Sequence, residues 1–396
     1  MTLERANVGR QLRLLPEAET QTPQGEYSLL FDDQHRTTSN SASSQPSPVE
    51  VFEDEVLGEL LWSPAVALDP KHRPQTWDRP AGTVRRSWCK YPQEAHLVDV
   101  AAGRYRRLTV DEIALIQGFE PSWFEVPGVS TRSRIKAIGD AVPPPLARAI
   151  LQSIDKLWSW NHRTAVEICA GSGGLASGAC EVQGMEHLGL IEMWEPACQI
   201  LRHSKPWPAD WVACIDARAY DFASLRGQVG LLSGGPPCQP WSLAGHHKGV
   251  FDPRDLLAYI HEIVGVVEPE VFLFENVPGL ASEQNRDYLQ AVIERLRCPT
   301  TSNVGYSVMA AILNAADFGV PQVRRRVFLL GVRDAPASLA YRVFDRVYAR
   351  ATHRDPTHAH PHRQPWVTLR DVLGSRPDPG GWRRWLDSSL VAGNRP

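Results

Sequence analysis

The sequence of 396 residues lacks the features that mark several common classes of protein. No apolar run is long enough to cross a bilayer, and the start, MTLERANVGR, has no signal-peptide core. The seven cysteines are odd in number and form no CxxC pair, which argues against a disulfide framework or a zinc ribbon. We therefore expect a cytoplasmic protein in a reducing compartment, with no membrane partner and no metal.

The net charge is only −3, so the composition as a whole does not indicate a nucleic-acid partner. Basic clusters at 104–107, 132–136 and 324–326 provide local positive charge, although such clusters more often form a solvated face. The stretch 36–50 is rich in Ser and Pro and predicts a flexible loop or linker.

The order of apolar patterns predicts the fold class. A helix is expected over 109–119 behind the candidate cap Thr109, and a second over 143–160, where prolines suit the first turn. Apolar segments then alternate with helical patterns, which predicts a doubly wound, mostly parallel α/β sheet. The predicted strands are 164–170, 186–192, 229–233, 270–277, 306–312 and 326–332. The tail after Arg333 is expected to be irregular.

A glycine loop follows the first of these strands, in 165-AVEICAGSGGLASG-178. Glycines let a backbone approach a ligand closely at a helix N-terminus, although strand-to-helix glycine turns are common without one. Glu192 ends the next predicted strand, where an acid can bond ribose hydroxyls, and Asp216 is placed to bond an adenine amino group. Because no GK[ST] motif is present, these residues favour a nucleoside-type cofactor over a triphosphate.

The stretch 234-GGPPCQPWS-242 puts a cysteine between prolines just after a predicted buried strand. A rigid turn at the carboxyl end of a parallel sheet is where open α/β folds keep their active sites. Cys238 is therefore a candidate reactive thiol. The alternative, a small buried hydrophobe, is equally common for free cysteines.

Taken together, these segments resemble the C5-cytosine DNA methyltransferase family. The resemblance rests on AGSGG, GGPPCQPWSLAG, FENVPG, 314-NAADFGVPQVRRRVFLLG-331, 76-TWDRPAGTV-84, 106-RRLTVDEIALIQGF-119 and 138-IGDAVPPPLARAI-150. The last three segments normally close the family's sequence, yet here they come first, so the chain resembles a circular permutant. The resemblance covers roughly residues 76–333, with weaker hints in 366–374.

The resemblance implies a Rossmann-like class I methyltransferase fold, S-adenosyl-L-methionine as methyl donor, and double-stranded DNA in a bacterial nucleoid as substrate. It implies that Cys238 is the nucleophile at C6 of a flipped cytosine, that Glu275 bonds the N3/N4 edge, and that Arg324 and Arg326 lie near O2 and the backbone. It further implies a cofactor site made by Glu167, Ala170, Gly171, Gly173, Gly174, Glu192, Met193, Asp216, Pro237, Leu257, Asp140 and Ala141. The residues that it implies for nucleic-acid binding are Gln239, Ser242, Lys248, Arg254 and Gln322, of which Gln322 is also expected to support its own loop.

Two positions depart from the family pattern. Cys169 stands where the family usually has an aromatic residue against the adenine, and Trp194 is a candidate substitute for that contact. Asp140 replaces an asparagine near the methionine moiety; it lacks the amide donor but can accept from an ammonium group.

The expected division of the chain is an N-terminal extension (1–75), the permuted motifs (76–160), the catalytic domain (161–333) and a tail (334–396). The two ends are expected to form a small recognition region, unless a companion chain supplies it. Two other functions stay open: methylation of cytosine in RNA, and nucleic-acid binding without turnover. The histidines of 358-HAHPH-362 are a further candidate metal site, less favoured than a solvated loop.

Overall fold

The computed structural model describes residues 74–89, 92–203, 205–237 and 255–384, together with two short strands at 53–54 and 59–60. Within these ranges, no helix combines the length and the apolar character needed to cross a bilayer.

The strands of the described residues are numbered in chain order. They are β1 (Glu53–Asp54), β2 (Glu59–Leu60), β3 (Gln75–Thr76), β4 (His96–Asp99), β5 (Arg104–Arg107), β6 (Thr164–Ile168), β7 (Glu186–Glu192), β8 (Val212–Cys214), β9 (Leu231–Gly234), β10 (Val271–Asn276), β11 (Tyr306–Asn314), β12 (Arg325–Arg333), β13 (His353–Arg354), β14 (Gln364–Pro365) and β15 (Arg383–Arg384).

The α-helices are numbered in the same way. They are α1 (Val110–Gln117), α2 (Thr131–Asp140), α3 (Pro144–Leu157), α4 (Gly174–Cys180), α5 (Glu195–Arg202), α6 (Leu256–Val267), α7 (Arg286–Arg297), α8 (Ala337–Ala349) and α9 (Leu369–Leu373).

Seven strands form the main sheet, in the order β11-β12-β10-β9-β6-β7-β8. Strand β12 runs antiparallel to both of its neighbours, whereas the pairs from β10 to β8 are all parallel. The chain leaves β6 towards β7 and β8 and then returns to the other side with β9. The predicted doubly wound α/β fold is therefore confirmed, and its switch point lies between β6 and β9, where such sheets bind ligands.

Helices cover both faces of this sheet. Side chains of α3, α4 and α8 pack against one face, and those of α6 and α7 pack against the other. Every residue of β9 and β10 is buried as a result. Their sequences, LLSG and VFLFEN, are continuous runs rather than alternating patterns, as expected for strands covered on both sides.

The six predicted strands are present with boundaries shifted by at most two residues, and both predicted helices with boundaries shifted by at most three. Thr109 caps α1 in a capping box with Glu112, as its position suggested. Strand β8, which has only three residues, was not predicted. The expectation of an irregular tail was wrong: Leu339, Ala340, Val343, Phe344 and Val347 recur at helical spacing, and α8 buries this stripe against the sheet.

A buried carboxylate fixes the connection from α3 to β6. The Glu270 side chain is 1% exposed and accepts hydrogen bonds from the Asn161 N–H at 3.0 Å, the His162 N–H at 2.7 Å and the Trp158 indole at 3.1 Å. The helix therefore ends at Leu157, earlier than predicted, because the next residues bind Glu270 instead of continuing the turn.

A smaller unit packs beside the main sheet. Its four strands have the order β15-β5-β4-β3, and its core includes side chains of α1, α2 and α9. The Leu369 N–H donates to the Arg79 carbonyl at 3.0 Å, and the Arg370 N–H to the Trp77 carbonyl at 2.8 Å. The segment around α9 therefore folds onto residues near the start of the described chain.

The contact between α3 and α4 gives a test of this packing. A methyl group added at Gly178 would lie 2.7 Å from the Ala147 Cβ and 2.9 Å from its carbonyl carbon. We expect Gly178→Ala to lower the free energy of unfolding by about 1–3 kcal/mol, since both partners are held by helices. Gly279→Ala is the control, because nothing lies within 4 Å of its added methyl. Urea unfolding measures both; equal stability of the two variants would contradict the close contact between α3 and α4.

Candidate cofactor and catalytic site

The loop after β6 turns sharply towards the N-terminus of α4. Gly171 and Gly173 have φ of +56° and +84°, a region that glycine enters at low cost, and Cys169 has φ of +49° without being glycine. A non-glycine residue in this region is held there by its surroundings. Burial raises the pKa of the Cys169 thiol, so this group stays protonated. The loop is thus a tight turn at the switch point, with three residues in the positive-φ region.

Glu192 ends β7 and ties the glycine loop to the next strand. One carboxylate oxygen accepts from the Gly171 N–H and the other from the Trp194 N–H, both at 2.8 Å. Met193, between them, is 66% exposed, which is unusual for a large apolar side chain. Glu192 and Met193 thus place a carboxylate and an exposed apolar side chain beside the glycine loop.

Glu167 lies within β6, and its side chain is 2% exposed. Burial raises the pKa of this carboxyl well above its usual range, with the nearby charge of Glu192 acting in the same direction. Its Oε2 atom has no hydrogen-bond partner within the described ranges. A cationic group placed close to this carboxyl would stabilise its ionised form, so the site suits a positively charged ligand.

Asp216 follows β8 and caps a short helical turn. Its carboxylate accepts from the backbone N–H of Arg218 at 2.9 Å and from the Arg218 Nε at 3.0 Å, and this pairing lowers the pKa of Asp216. Pro237 is exposed at the end of the described segment, whereas Leu257 is only 1% exposed within the core beneath α6. The contact of Leu257 with the cofactor, expected from the sequence, stays a prediction.

Residues from the N-terminal half contact the glycine loop directly. The Trp123 indole donates to the Ser172 carbonyl at 2.7 Å, and the Ser172 hydroxyl donates to the Ala137 carbonyl at 3.2 Å. A Cβ at Gly174 would lie 2.0 Å from the Val142 carbonyl oxygen, so this position excludes any side chain. The segment that contains Ala141 thus lies against the start of α4.

Asp140 is exposed and sits among cations. Its carboxylate lies 3.5 Å from Lys136 Nζ and 3.8 Å from Arg86 Nε. The same Lys136 Nζ lies 3.2 Å from the centroid of the Trp194 ring, a cation–π contact that covers one face of that indole. Lys136 therefore links Asp140 to the residues around Glu192.

A second group of polar residues lies at the ends of β10 and β12. Arg326 Nε is 2.9 Å from Glu275 Oε1, and both side chains are close to 90% buried. Asn276 Nδ2 donates to the Pro236 carbonyl at 2.9 Å, and a Cβ on Gly235 would lie 3.6 Å from Glu275 Oε2. Glu275 therefore adjoins the start of the loop that carries Cys238.

Two residues expected at the substrate are structural here. The Arg324 guanidinium is buried and donates to the carbonyls of Val84 at 2.8 Å and Gly139 at 3.0 Å. Gln322 is 0% exposed; its Oε1 accepts from the Val84 N–H, and its Nε2 donates to Gln117 Oε1. Direct DNA contact by Gln322 is therefore corrected to a role in holding the neighbouring backbone.

Five expected site residues lie outside the described residues, namely Cys238, Gln239, Ser242, Lys248 and Arg254. The structure also adds three side chains that sequence reasoning left unassigned: Trp123, Lys136 and Asn276. Asn276 directly follows Glu275 in the quoted FENVPG segment, so its position already pointed to the site. Nothing in the sequence indicated that Trp123 and Lys136 lie close to it.

Comparisons with known proteins place the chain in a family. The family model described as C-5 cytosine-specific DNA methylase matches residues 4–156 and 164–383. The chain is 37% identical over 172 residues to the type II methyltransferase M.NgoMIV of Neisseria gonorrhoeae, a match covering 43% of this chain and 52% of that protein. It is 37% identical over 171 residues to M.NaeI of Lentzea aerocolonigenes, covering 43% of this chain and 40% of that protein.

The matched part thus spans about half the length of these relatives, or less. Among solved structures, a mutant of DNMT2 from Spodoptera frugiperda is similar at 19% identity, with a TM-score of 0.35 over 44% of this chain and 50% of that one. Because the family model covers most of the sequence, the chain belongs to the C-5 cytosine-specific DNA methylase family.

Proposed function

We propose that the chain transfers a methyl group from S-adenosylmethionine to carbon 5 of a cytosine flipped out of double-stranded DNA. The observation that carries the proposal is that the glycine loop, Glu192 and the Glu275–Arg326 pair lie along one edge of the sheet, formed by the carboxyl ends of the parallel strands β6, β7 and β10 and the amino end of the antiparallel β12. An acyl- or phosphoryl-transfer enzyme would need a different set of groups at this edge.

The cofactor proposal is supported by the charge of the site. S-adenosylmethionine carries a sulfonium and an ammonium group, and Glu167 offers a buried oxygen without a partner among the described residues. Glu192 has lone pairs left for ribose hydroxyls after binding Gly171 and Trp194, because each carboxylate oxygen accepts more than one hydrogen bond. Met193 and Trp194 provide apolar surface for the adenine. Bound S-adenosylmethionine supplies the electrophilic methyl group.

Cytosine needs activation, because its C5 is a weak nucleophile. The Cys238 thiolate adds to C6, and the electron pair pushed to C5 then takes the methyl group and leaves S-adenosylhomocysteine. Loss of the C5 proton to solvent and departure of the thiolate restore the aromatic ring. Glu275 favours protonation at N3, which relieves the negative charge that sulfur addition brings to the ring.

Arg326 holds Glu275 in place for this step. An ion pair at 2.9 Å in a site about 90% buried fixes one carboxylate oxygen and leaves the other, Oε2, beside Gly235. Arg324 acts indirectly, since its guanidinium binds two backbone carbonyls rather than facing the base. We assign Arg324 a positioning role and keep the substrate-side role for Arg326.

We further propose that the chain is a circular permutant, with 76–160 completing the domain formed by 161–333. Three observations support this: the contact of Val142 with Gly174, the bonds of Arg324 to Val84 and Gly139, and the short Glu270-bound link from α3 to β6. Residues 1–75 and parts of 350–396 would then serve target recognition, unless a companion chain does so. Relatives named type II methyltransferases favour a role in restriction and modification.

The direct test is label transfer from methyl-tritiated S-adenosylmethionine to duplex DNA, followed by nucleoside analysis. We expect the label in 5-methyl-2′-deoxycytidine. Label in tRNA alone would replace DNA by RNA as the substrate. Cofactor binding without label in either nucleic acid would favour the alternative of a nucleic-acid-binding protein without turnover.

Cys238→Ser should abolish methyl transfer, because a hydroxyl is far less ionised than a thiol and does not add to C6. Cofactor binding and folding should be retained. Cys298→Ser, at an exposed cysteine, is the matched control and should keep full activity. Normal turnover by the Cys238 variant, measured in the same assay, would rule out covalent catalysis by this thiol.

Glu192→Ala should weaken S-adenosylmethionine and S-adenosylhomocysteine alike, by about 10- to 100-fold, because a charged hydrogen-bond acceptor is lost and the methyl group is not involved. Glu186→Ala, at the exposed opposite end of the same strand, should bind both ligands normally. Isothermal titration measures the four affinities. An unchanged affinity in the Glu192 variant would remove this residue from the cofactor site.

Glu167 predicts a pH dependence of cofactor binding. Its raised pKa keeps the carboxyl protonated further above pH 4.5 than in solution, and a cationic ligand favours the ionised form. Binding should therefore release a proton, and affinity should rise as the pH increases through that raised pKa. Calorimetry in buffers of different ionisation enthalpy detects the release. Glu167→Gln should lose this buffer dependence; a release that persists in the variant must come from another group.

A further inference from the structure

Three side chains that the proposed reaction does not use come together beside β8. Glu195 and Cys198 lie on α5, and Cys214 ends β8. Each offers one ligand atom, and these three atoms all lie within 4.8 Å of one another. The cluster adjoins the proposed cofactor site, because Cys198 packs in one buried cluster with Ala170 and bonds the Glu192 carbonyl, but none of its three side chains has a role in the proposed reaction.

The local structure explains why they converge. Glu195 and Cys198 are three residues apart on a helix, so they share a face. Cys214 is the register partner of Glu192 between β7 and β8, and α5 begins three residues after Glu192. Although Cys198 and Cys214 are far apart in sequence, the strand pairing brings the second thiol to the helix that carries the first.

The contacts within the cluster join side chains of the types that bind metals. The Cys214 thiol donates to Glu195 Oε2 at 2.9 Å, and the Cys198 thiol donates to the Glu192 carbonyl at 3.2 Å. Cys198 is fully buried, Cys214 is half-buried, and the Glu195 side chain is 57% exposed. The group therefore has a closed thiol side and an open carboxylate side.

We infer that Glu195, Cys198 and Cys214 form a binding site for a thiophilic divalent cation, of which Zn²⁺ and Cd²⁺ are representatives. Tetrahedral zinc binds sulfur at about 2.3 Å and carboxylate oxygen at about 2.0–2.2 Å, so its ligand atoms lie about 3.5–3.8 Å apart. The 2.9 Å contact between Cys214 Sγ and Glu195 Oε2 must lengthen slightly, and no pair of ligand atoms needs to shorten by more than about 1.3 Å from the 4.8 Å limit. Water completes the fourth position on the exposed side.

Binding is an exchange of protons for the ion. Each of the two thiols gives one proton to solvent, and the cation accepts an electron pair from each resulting thiolate and from the carboxylate. No oxidation state changes. Arg202 Nη1 lies 3.9 Å from Glu195 Oε1, and Arg202 Nη2 donates to the Val212 carbonyl, so this guanidinium braces the same helix and strand.

The bound cation would tie α5 to the end of β8. These two elements carry the residues next to Glu192 and Asp216, so the ion lies directly behind the proposed adenosine pocket. Any effect of the ion on cofactor affinity rests on the proposed function. Binding of the ion itself does not, because it needs only these three side chains.

The test is titration of the reduced full-length protein with Cd²⁺, followed by thiolate-to-metal charge-transfer absorption in the ultraviolet, with Zn²⁺ as competitor. One equivalent should saturate the band, and Zn²⁺ should remove it. Cys198→Ser and Cys214→Ser should each weaken binding at least tenfold. Glu195→Gln should weaken binding while keeping the band of two thiolates.

Cys298→Ser is the matched control, an exposed cysteine outside the cluster, and should titrate like the unmodified chain. Because Cys214 is only half-buried, its variant keeps the test valid even if the buried Cys198 variant does not fold. Equal binding by Cys214→Ser and Cys298→Ser would overturn the site. The site would also be overturned if Cys198 and Cys214 oxidised to a disulfide in air equally fast with and without Zn²⁺. Neither result depends on methyl transfer.

Discussion

The buried guanidinium of Arg324 is the contact on which the arrangement of the candidate site depends. It joins the strand that carries Arg326 to the carbonyls of Val84 and Gly139, which belong to segments far away in sequence. A lysine in its place could not reach both carbonyls with a planar fork. Since Gly139 directly precedes Asp140, this contact also sets where the loop before α3 meets the glycine loop. The two halves of the chain are thus fixed to each other by backbone recognition, not by apolar packing alone.

The polar residues at the ends of the sheet strands fall into two groups, one near β6 and β7 and the other near β10 and β12. Near β6 and β7, Glu192 and the buried Glu167 place two carboxyl groups beside apolar surface, and the charge of a cationic nucleoside would favour the ionised form of Glu167. Near β10 and β12, a carboxylate–guanidinium pair is about 90% buried, which suits hydrogen bonding to a polar planar base. The proposed methyl transfer requires both ligands to meet near the switch point of the sheet, between β6 and β9.

Much of this could be predicted from the sequence, and the reasons are specific. Buried strands such as VFLFEN are recognised as continuous apolar runs. Thr109 and Glu112 have the spacing of a capping box, which indicates the start of a helix. The short β8 has too few residues to show a strand pattern, whereas the apolar spacing of α8 does indicate a helix. The supporting role of Gln322 follows from the family resemblance, but the role of Arg324 does not, because a sequence shows a polar side chain without showing whether it faces a ligand or a backbone carbonyl. The meeting of Cys198 and Cys214 likewise depends on strand register.

The most direct measurement of the central claim is the affinity of Arg324→Lys for S-adenosylhomocysteine, compared with Arg325→Lys. Arg325 is the exposed neighbour on the same strand, so its variant controls for the loss of a guanidinium. The account predicts that Arg324→Lys remains folded by circular dichroism but binds at least about tenfold more weakly, equivalent to about 1.4 kcal/mol, while Arg325→Lys binds normally. Unchanged binding in a folded Arg324→Lys variant would contradict the account, because residues 84 and 139 would then be held in place without this contact.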